Sequence, residues 1–395
     1  MGWTRLPPRN CFYYKSPRHG GQYLLSFVFT FGGDENEVYD FAYSFPYSYT
    51  KLQKYLDGMQ RSCCCSQADL EFRFERSLLC RTNQMRRVDL IEIKDRSDGH
   101  AHLPLGKARG TRKAAKGVNG NGRIPTAKVR PVVAITGRVH PGETPASFVI
   151  QGFLDFVTSQ HEDACYLRKV ADIVVVPMLN PDGVSLGNYR TDATGVDLNR
   201  RWDAPSKEME PSLYWTRELL QGINNEKDRK LDMFIDVHAH STSKRSFMYC
   251  NPPKSMEISH LGGSEGELKE HERDWATMNS LKKVLVFLEF LDMFMLEFSL
   301  QNCRWDIDSH KLGSARRALE KMLPETLCYT FEASFFHDMG FTHSQNDSGY
   351  AQKHSKGQGQ AQVQSKVNTE KGYIGMEEQL GRALSHYYRE NPAGL

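Results

Sequence analysis

His140 and Glu143 stand three residues apart in Gly137-Arg138-Val139-His140-Pro141-Gly142-Glu143-Thr144-Pro145. An imidazole and a carboxylate at that separation could share a divalent cation. The intervening Pro141-Gly142 excludes the middle of a helix, since both residues break one, so the pair belongs to a tight turn. Two ligands do not make a hydrolytic metal site. Zinc that activates water takes three protein ligands and keeps a fourth position open. A third is on offer in Asp236-Val237-His238-Ala239-His240-Ser241. His238 and His240 would share one face of an extended strand, so spacing alone does not choose between them.

Glu332 lies in Cys328-Tyr329-Thr330-Phe331-Glu332-Ala333-Ser334. A carboxylate in so apolar a strand is costly without a partner or a function. Desolvation would raise its pKa, which suits a general base. Arg190 and Arg200 add fixed cations, joined by turns at Pro181-Asp182-Gly183 and Gly195. Guanidinium forks bind carboxylates at two points and stabilise oxyanions. The chemistry this set could perform is metal-assisted hydrolysis beside an anionic group.

The elements that must position these residues are legible as buried strands. Residues 129–136, 172–179, 231–237 and 327–331 are nearly continuous apolar runs, the mark of strands covered on both faces. A helix is expected over 146–159, with Thr144 as its cap and Pro145 in its first turn. Met376, Leu380, Leu384 and Tyr387 place an apolar stripe on a last helix that stops at Asn391-Pro392. Strands alternating with helices predict an α/β fold, a mixed central sheet with helices on both faces. Ligands bind such sheets at the carboxyl ends of the strands, where His140, His238 and Glu332 all fall.

Upstream, residues 23–31 and 38–45 read as strands, and helix spacing begins at Thr50 with Leu52, Tyr55, Leu56 and Met59. Four segments follow: strands in 1–50, a helical lead-in over 51–97, a basic low-complexity insert over 98–126, and the main domain over 127–395. The main domain carries inserts near 264–301 and 340–370, the latter rich in Gln, Ser, Gly and Lys.

A chain of 395 residues with a quarter of them charged is long enough for one large domain with appendages. The net charge of +3 is too small to argue for a nucleic-acid partner. Nine cysteines, an odd number without a Cys-x-x-Cys pair, suit reduced thiols in the cytosol better than a disulfide framework. The first ten residues hold no apolar segment of a signal peptide. The stretch 284–300 carries Glu289, Asp292 and Glu297, so a buried or amphipathic helix is expected there, and no membrane span.

His-x-x-Glu, Asn180-Pro181-Asp182-Gly183, Asn188-Tyr189-Arg190, Asp197-Leu198-Asn199-Arg200, a strand ending in His and a late strand bearing Glu together resemble the zinc carboxypeptidases of the M14 type. The wording of residues 137–148, 177–184 and 235–242 is similar to the cytosolic carboxypeptidases. Residues 8–14 and 41–50 resemble the type 6 branch of that subfamily.

The resemblance implies one Zn2+ per chain, held by His140, Glu143 and His238. It implies Glu332 as general base and Arg190 as the oxyanion-stabilising arginine. Asn199 and Arg200 match the pair that grips the terminal carboxylate. Lys311-Leu312-Gly313-Ser314-Ala315-Arg316 matches a Lys-x-Gly-Thr-x-Arg stretch whose arginine, here Arg316, would receive the side chain of a terminal glutamate. The implied activity is removal of C-terminal glutamates from polyglutamylated tubulin or other acidic-tailed proteins in the cytoplasm, at microtubules, centrioles or basal bodies. The strands in residues 1–50 would be the last of a larger β-sandwich. Two other readings fit the residues: a module that binds acidic tails without cutting them, and a related hydrolase acting on another amide or ester.

Overall fold

The computed structural model describes residues 3–34, 36–65, 70–96, 129–251, 270–305, 309–335 and 370–391. The chain divides into two units, Met1–Pro46 and Tyr47–Leu395. The first unit holds one antiparallel hairpin, β1 (Cys11–Ser16) and β2 (Gln22–Phe27), in register from Cys11↔Phe27 to Ser16↔Gln22. Phe12, Tyr13, Tyr14, Tyr23 and Leu25 are exposed on it. The strand expected over 23–31 stops at Phe27, and the one expected over 38–45 does not form. An extended apolar run becomes a strand only against a ladder partner. Here Phe29, Phe31, Tyr39 and Phe41 meet edge to face instead, with centroids 5.1 to 5.3 Å apart.

The second unit is built on one eight-stranded mixed sheet, in the order β3-β4-β6-β5-β7-β10-β8-β9. Its first helix is α1 (Tyr49–Cys65), as the periodicity from Thr50 predicts. The rest of the supposed helical lead-in is corrected. β3 (Phe72–Arg81) and β4 (Arg87–Asp95) form a hairpin there and carry one edge of the sheet. Charges hid them from a search for apolar runs, and those charges pair locally. Arg76 Nε donates to Asp89 Oδ1 at 2.8 Å, and Arg87 Nε to the same oxygen at 2.7 Å.

β5 (Arg130–Gly137) lies parallel to β6 (Asp172–Val176) on one side and to β7 (Arg229–His240) on the other. β10 (Leu327–Ser334) is parallel to β7, while β8 (Phe247–Cys250) runs antiparallel to β10 and pairs with the short β9 (Arg304–Trp305). The runs read as doubly covered strands are buried almost throughout: Val132, Val133, Ile135, Ile173, Val175, Phe234, Ile235 and Phe331 are all at or below 1 % exposure.

Between the strands run α2 (Thr144–Val157), α3 (Glu162–Val170), α4 (Pro181–Leu186), α5 (Pro211–Asn224), α6 (Glu270–Phe294) and α7 (Ala315–Met322), and α8 (Glu370–Glu390) follows β10. α2, α3 and α6 pack against α8, whereas α5 and α7 close the opposite face with Trp202, Leu213, Leu220, Ala318 and Leu319 in its core. Polar contacts hold α8 in place. Tyr388 donates to Asp232 at 2.7 Å, and Arg389 pairs with the buried Asp163 at 2.9 Å. Of the helix expected over 284–300, residues 284–294 form the end of α6, with Phe287, Leu288 and Leu291 fully buried, and the chain leaves the helix after Phe294. No helix among the described residues is long and apolar enough to cross a membrane. The insert at 98–126 and nearly all of that at 340–370 lie outside the described residues.

Candidate metal centre

The site forms where three parallel strands end side by side. β5 delivers His140 and Glu143 in the turn that follows it, β7 carries His238, and β10 sets Glu332 directly opposite His238 in register. The turn after β5 is tight because other backbone approaches it. Gly142 N–H donates to Tyr189 O at 2.7 Å, and a Cβ on Gly142 would lie 2.5 Å from the Tyr189 ring. Only glycine fits there. Asn180 braces the same turn, donating from Nδ2 to Val139 O at 3.1 Å while its Oδ1 accepts the N–H of Gly183.

Glu143, and not Thr144, occupies the N-cap of α2, and its side chain makes no capping bond. The carboxylate turns inward instead. Its Oε1 lies 2.7 Å from His140 Nδ1, and its Oε2 lies 2.9 Å from His238 Nδ1 and 3.1 Å from Ala239 N. Ligand atoms of His140, Glu143 and His238 all fall within 4.8 Å of one another, and all three residues are buried. His240 turns elsewhere. Its Nε2 donates to Arg245 O at 3.2 Å, its Nδ1 accepts from Ser243 N, and its ring packs on Phe247 at 4.7 Å.

The far nitrogen of each converging ring meets its own carboxylate. His140 Nε2 is 3.1 Å from Asp197 Oδ1, and His238 Nε2 is 2.8 Å from Asp236 Oδ2. Asp236 is held in turn by Thr136 Oγ1 at 2.7 Å, and Asp197 by Arg190 Nε at 2.9 Å. An imidazole oriented by a carboxylate on its outer nitrogen is the arrangement that metal-binding histidines use. Burial alone would lower the pKa of the His238 imidazole, yet Asp236 and Glu143 lift it well above its usual value. Burial would likewise raise Glu143, but the two imidazoles hold it well below the usual carboxylate range. Three carboxylates, those of Glu143, Asp197 and Asp236, thus face the two rings. Two imidazoles and one carboxylate converging there are a donor set suited to zinc. The residues present therefore fit the metal.

Glu332 stays partly open to solvent, and burial pushes its carboxyl up to about 7. Asn199 Nδ2 lies 3.3 Å from His238 Nε2, and Asn199 Oδ1 accepts the N–H of Ala315 at 3.1 Å. That second bond docks the start of α7 beside the site. The approach is close enough that a Cβ on Gly313 would strike Arg200 O at 2.5 Å. Arg200 Nη1 donates to its neighbour Asn199 O at 2.8 Å. Arg316, on the first turn of α7, is only 2 % exposed, and its Nη1 donates to Cys250 O at 2.9 Å and to Asn251 Oδ1.

The structure thus joins His140, Glu143, His238, Asn199 and Arg190 in one polar network with Glu332 beside it, and sets Arg316 in the adjoining layer beneath the end of β8. Sequence reasoning passed over Asp236 and Asp197. Asp236 was legible: two residues before His238 on a strand, it must share that histidine's face. Asp197 was not, because its contact with His140 depends on how the 180–200 loop folds back. Asp236→Asn is expected to weaken zinc binding about 10- to 100-fold, the scale for partners of ligating histidines. Competition with a chromogenic chelator measures it, and an affinity within twofold of wild type would show that Asp236 leaves the metal untouched.

The sequence matches the family model described as zinc carboxypeptidase over residues 73–277. Human cytosolic carboxypeptidase 6 is 34 % identical over 391 residues, 99 % of this chain and 63 % of the human protein. Its mouse counterpart is 36 % identical over 335 residues, 85 % of this chain and 52 % of the mouse protein. The Caenorhabditis elegans protein of that name is 33 % identical over 338 residues, covering 85 % and 61 % of the two chains. The chain therefore spans between half and two thirds of the length of these relatives. Among solved structures, a metallo-carboxypeptidase from Burkholderia cenocepacia shares the fold, with a TM-score of 0.59 at 19 % identity over 88 % of this chain and 71 % of that one.

Proposed function

Because the chain belongs to the zinc carboxypeptidase family, we propose that it is a metallocarboxypeptidase that removes C-terminal glutamates from acidic-tailed proteins, polyglutamylated tubulin among them. The observation that carries the reading is the convergence of His140, Glu143 and His238 with Glu332 facing His238 across one strand pair. His140, Glu143 and His238 would hold one zinc. Zinc, when bound, supplies Lewis-acid polarisation of the scissile carbonyl and acidifies water.

The protein's own groups do the rest. Glu332, raised by burial into the range where a carboxylate is a useful base at neutral pH, takes a proton from the attacking water and returns it to the leaving amine. Arg190, steadied by Asp197, stabilises the oxyanion of the tetrahedral intermediate. Asn199 and Arg200 orient the terminal carboxylate, and Arg316 receives the side chain of the departing glutamate. The names of the relatives support a cytosolic setting, and tubulin tails would place the enzyme at microtubules, centrioles or basal bodies.

The direct test is mass spectrometry of a peptide ending in several glutamates, before and after incubation with the zinc-loaded protein. Stepwise loss of terminal glutamate is expected, and an intact peptide would refute the reading. Specificity is tested by kcat/KM for paired peptides ending in Glu and in Leu. Arg316→Ala should reduce the Glu/Leu ratio about 10- to 100-fold, the cost of removing a charged hydrogen-bond partner from a buried anion. Arg317→Ala, one position away, should leave the ratio unchanged. An unaltered ratio in Arg316→Ala would move acidic specificity to another residue.

A further inference from the structure

Arg138 is a buried cation with no part in the chemistry described above. It stands two residues before His140, is 2 % exposed, and holds a left-handed backbone with φ of 57°. Glycine or asparagine usually occupies that region, and a long side chain there is strained. Only Met85 among the other non-glycine described residues shares it.

The left-handed turn aims the guanidinium back under the loop that carries both converging ligands. Nε donates to Pro141 O at 2.8 Å, and Nη1 donates to Ser147 Oγ at 2.7 Å. Pro141 is the residue between His140 and Glu143 whose carbonyl no helix or strand satisfies, and Ser147 is on the first turn of α2. One planar fork therefore ties the middle of the His-x-x-Glu turn to the helix that Glu143 begins. A guanidinium can span two acceptors at a fixed angle, whereas an ammonium offers a single point of attachment. The Glu143 side chain makes no cap bond to α2, and this fork adds a side-chain tie between the turn and the helix start.

We propose that Arg138 is a positioning residue that fixes the spacing between His140 and Glu143, and through it the affinity of the site for zinc. The proposal rests on the reading of those two residues as metal ligands. Its basis is the geometry of the fork alone, with no change of protonation.

The test is the zinc dissociation constant of the metal-stripped full chain, by chelator competition, together with the melting temperature of the same stripped protein. Three variants are compared with wild type. Arg138→Met keeps the bulk and removes both bonds, and zinc should bind about 10- to 100-fold more weakly. Arg138→Lys keeps the charge and one donor, and its affinity should fall between those of Arg138→Met and wild type. Ser147→Ala removes one acceptor on the buried side of α2 and leaves Nη1 without it, so zinc should bind about 2- to 10-fold more weakly and the stripped protein's melting temperature should fall only modestly, by less than in Arg138→Met. A lowered melting temperature with unchanged zinc affinity would reduce Arg138 to a structural role and overturn the proposal. So would affinities within twofold of wild type in both Arg138→Lys and Ser147→Ala, which stand as the test should Arg138→Met fail to fold. Failure of wild type itself to bind zinc would instead strike the ligand assignment.

Discussion

Glu332→Gln should keep its zinc and its affinity for substrate while losing about 10²-fold or more in kcat, the scale of general-base catalysis. The substitution changes one oxygen into an NH2 group and preserves volume, so the buried strand β10 has no reason to move. His238, the partner of Glu332 in register, keeps its own bonds to Asp236 and Glu143. What disappears is the ability to accept a proton. The pH profile carries a second signature. Burial raises the Glu332 carboxyl to about 7, and a base is competent only when deprotonated, so wild-type kcat must fall as pH drops through that pKa. The positive charge of a bound zinc favours the carboxylate form and moves this acid limb below 7. In Glu332→Gln the limb should vanish along with the rate. Turnover near wild type, or an acid limb that survives in the variant, would remove Glu332 from the role of base.

His238→Ala should lose the metal and all measurable turnover, whereas His240→Ala should keep one zinc per chain. The two histidines share a face of β7 in any strand drawn from sequence, and what separates them is the company each ring keeps. His238 lies between Glu143 and Asp236, buried, with its Nδ1 directed at the same carboxylate as that of His140. His240 gives both nitrogens to the turn that follows β7. Metal analysis of the purified variants decides the matter, and melting curves reinforce it. A ligand present at about 1,000 times its dissociation constant stabilises the native state by about 4 kcal/mol, so excess zinc should raise the melting temperature of wild type and His240→Ala and leave His238→Ala where it was. Zinc retained by His238→Ala and lost by His240→Ala would reverse the assignment.

The centre of this fold was legible because its strands are apolar without interruption. A run such as 129–136 has no alternative to burial on both faces, and the residues that follow its end must sit at the strand's carboxyl edge. That logic places His140, His238 and Glu332 at the carboxyl ends of the strands from sequence alone. It failed where strands are amphipathic and charged. β3 reads Phe-Arg-Phe-Glu-Arg-Ser-Leu-Leu-Cys-Arg, and its place at the sheet edge is settled by Arg76 and Asp89 finding each other across the hairpin. It failed again at 38–45, where strand-forming residues have no ladder to join. Within the site, ligand types and spacing were visible in the sequence, but loop conformation was not. The contact of Asp197 with His140, and the fork of Arg138 on Pro141 and Ser147, arise from backbone turns that no periodicity encodes.

The placement of β7 between β5 and β10 has a kinetic consequence. About a hundred residues of chain separate His140 from His238, and nearly as many separate His238 from Glu332, yet adjacent strands bring the three together, His140 just after β5 and the others on β7 and β10. No local segment brings His140, Glu143 and His238 together, so a nascent or half-folded chain presents the His140-Glu143 pair without His238 beside it. Non-local parallel pairing forms slowly, because loop closure precedes the contacts that reward it. The metal can therefore act only after β7 has inserted. It has nothing to bind in the rate-limiting step of folding and much to hold together in the native state, so it should slow unfolding while leaving the folding rate unchanged. Held by His140, Glu143 and His238, zinc would act as a latch on a finished sheet, and the lifetime of the folded protein would lengthen with the supply of zinc.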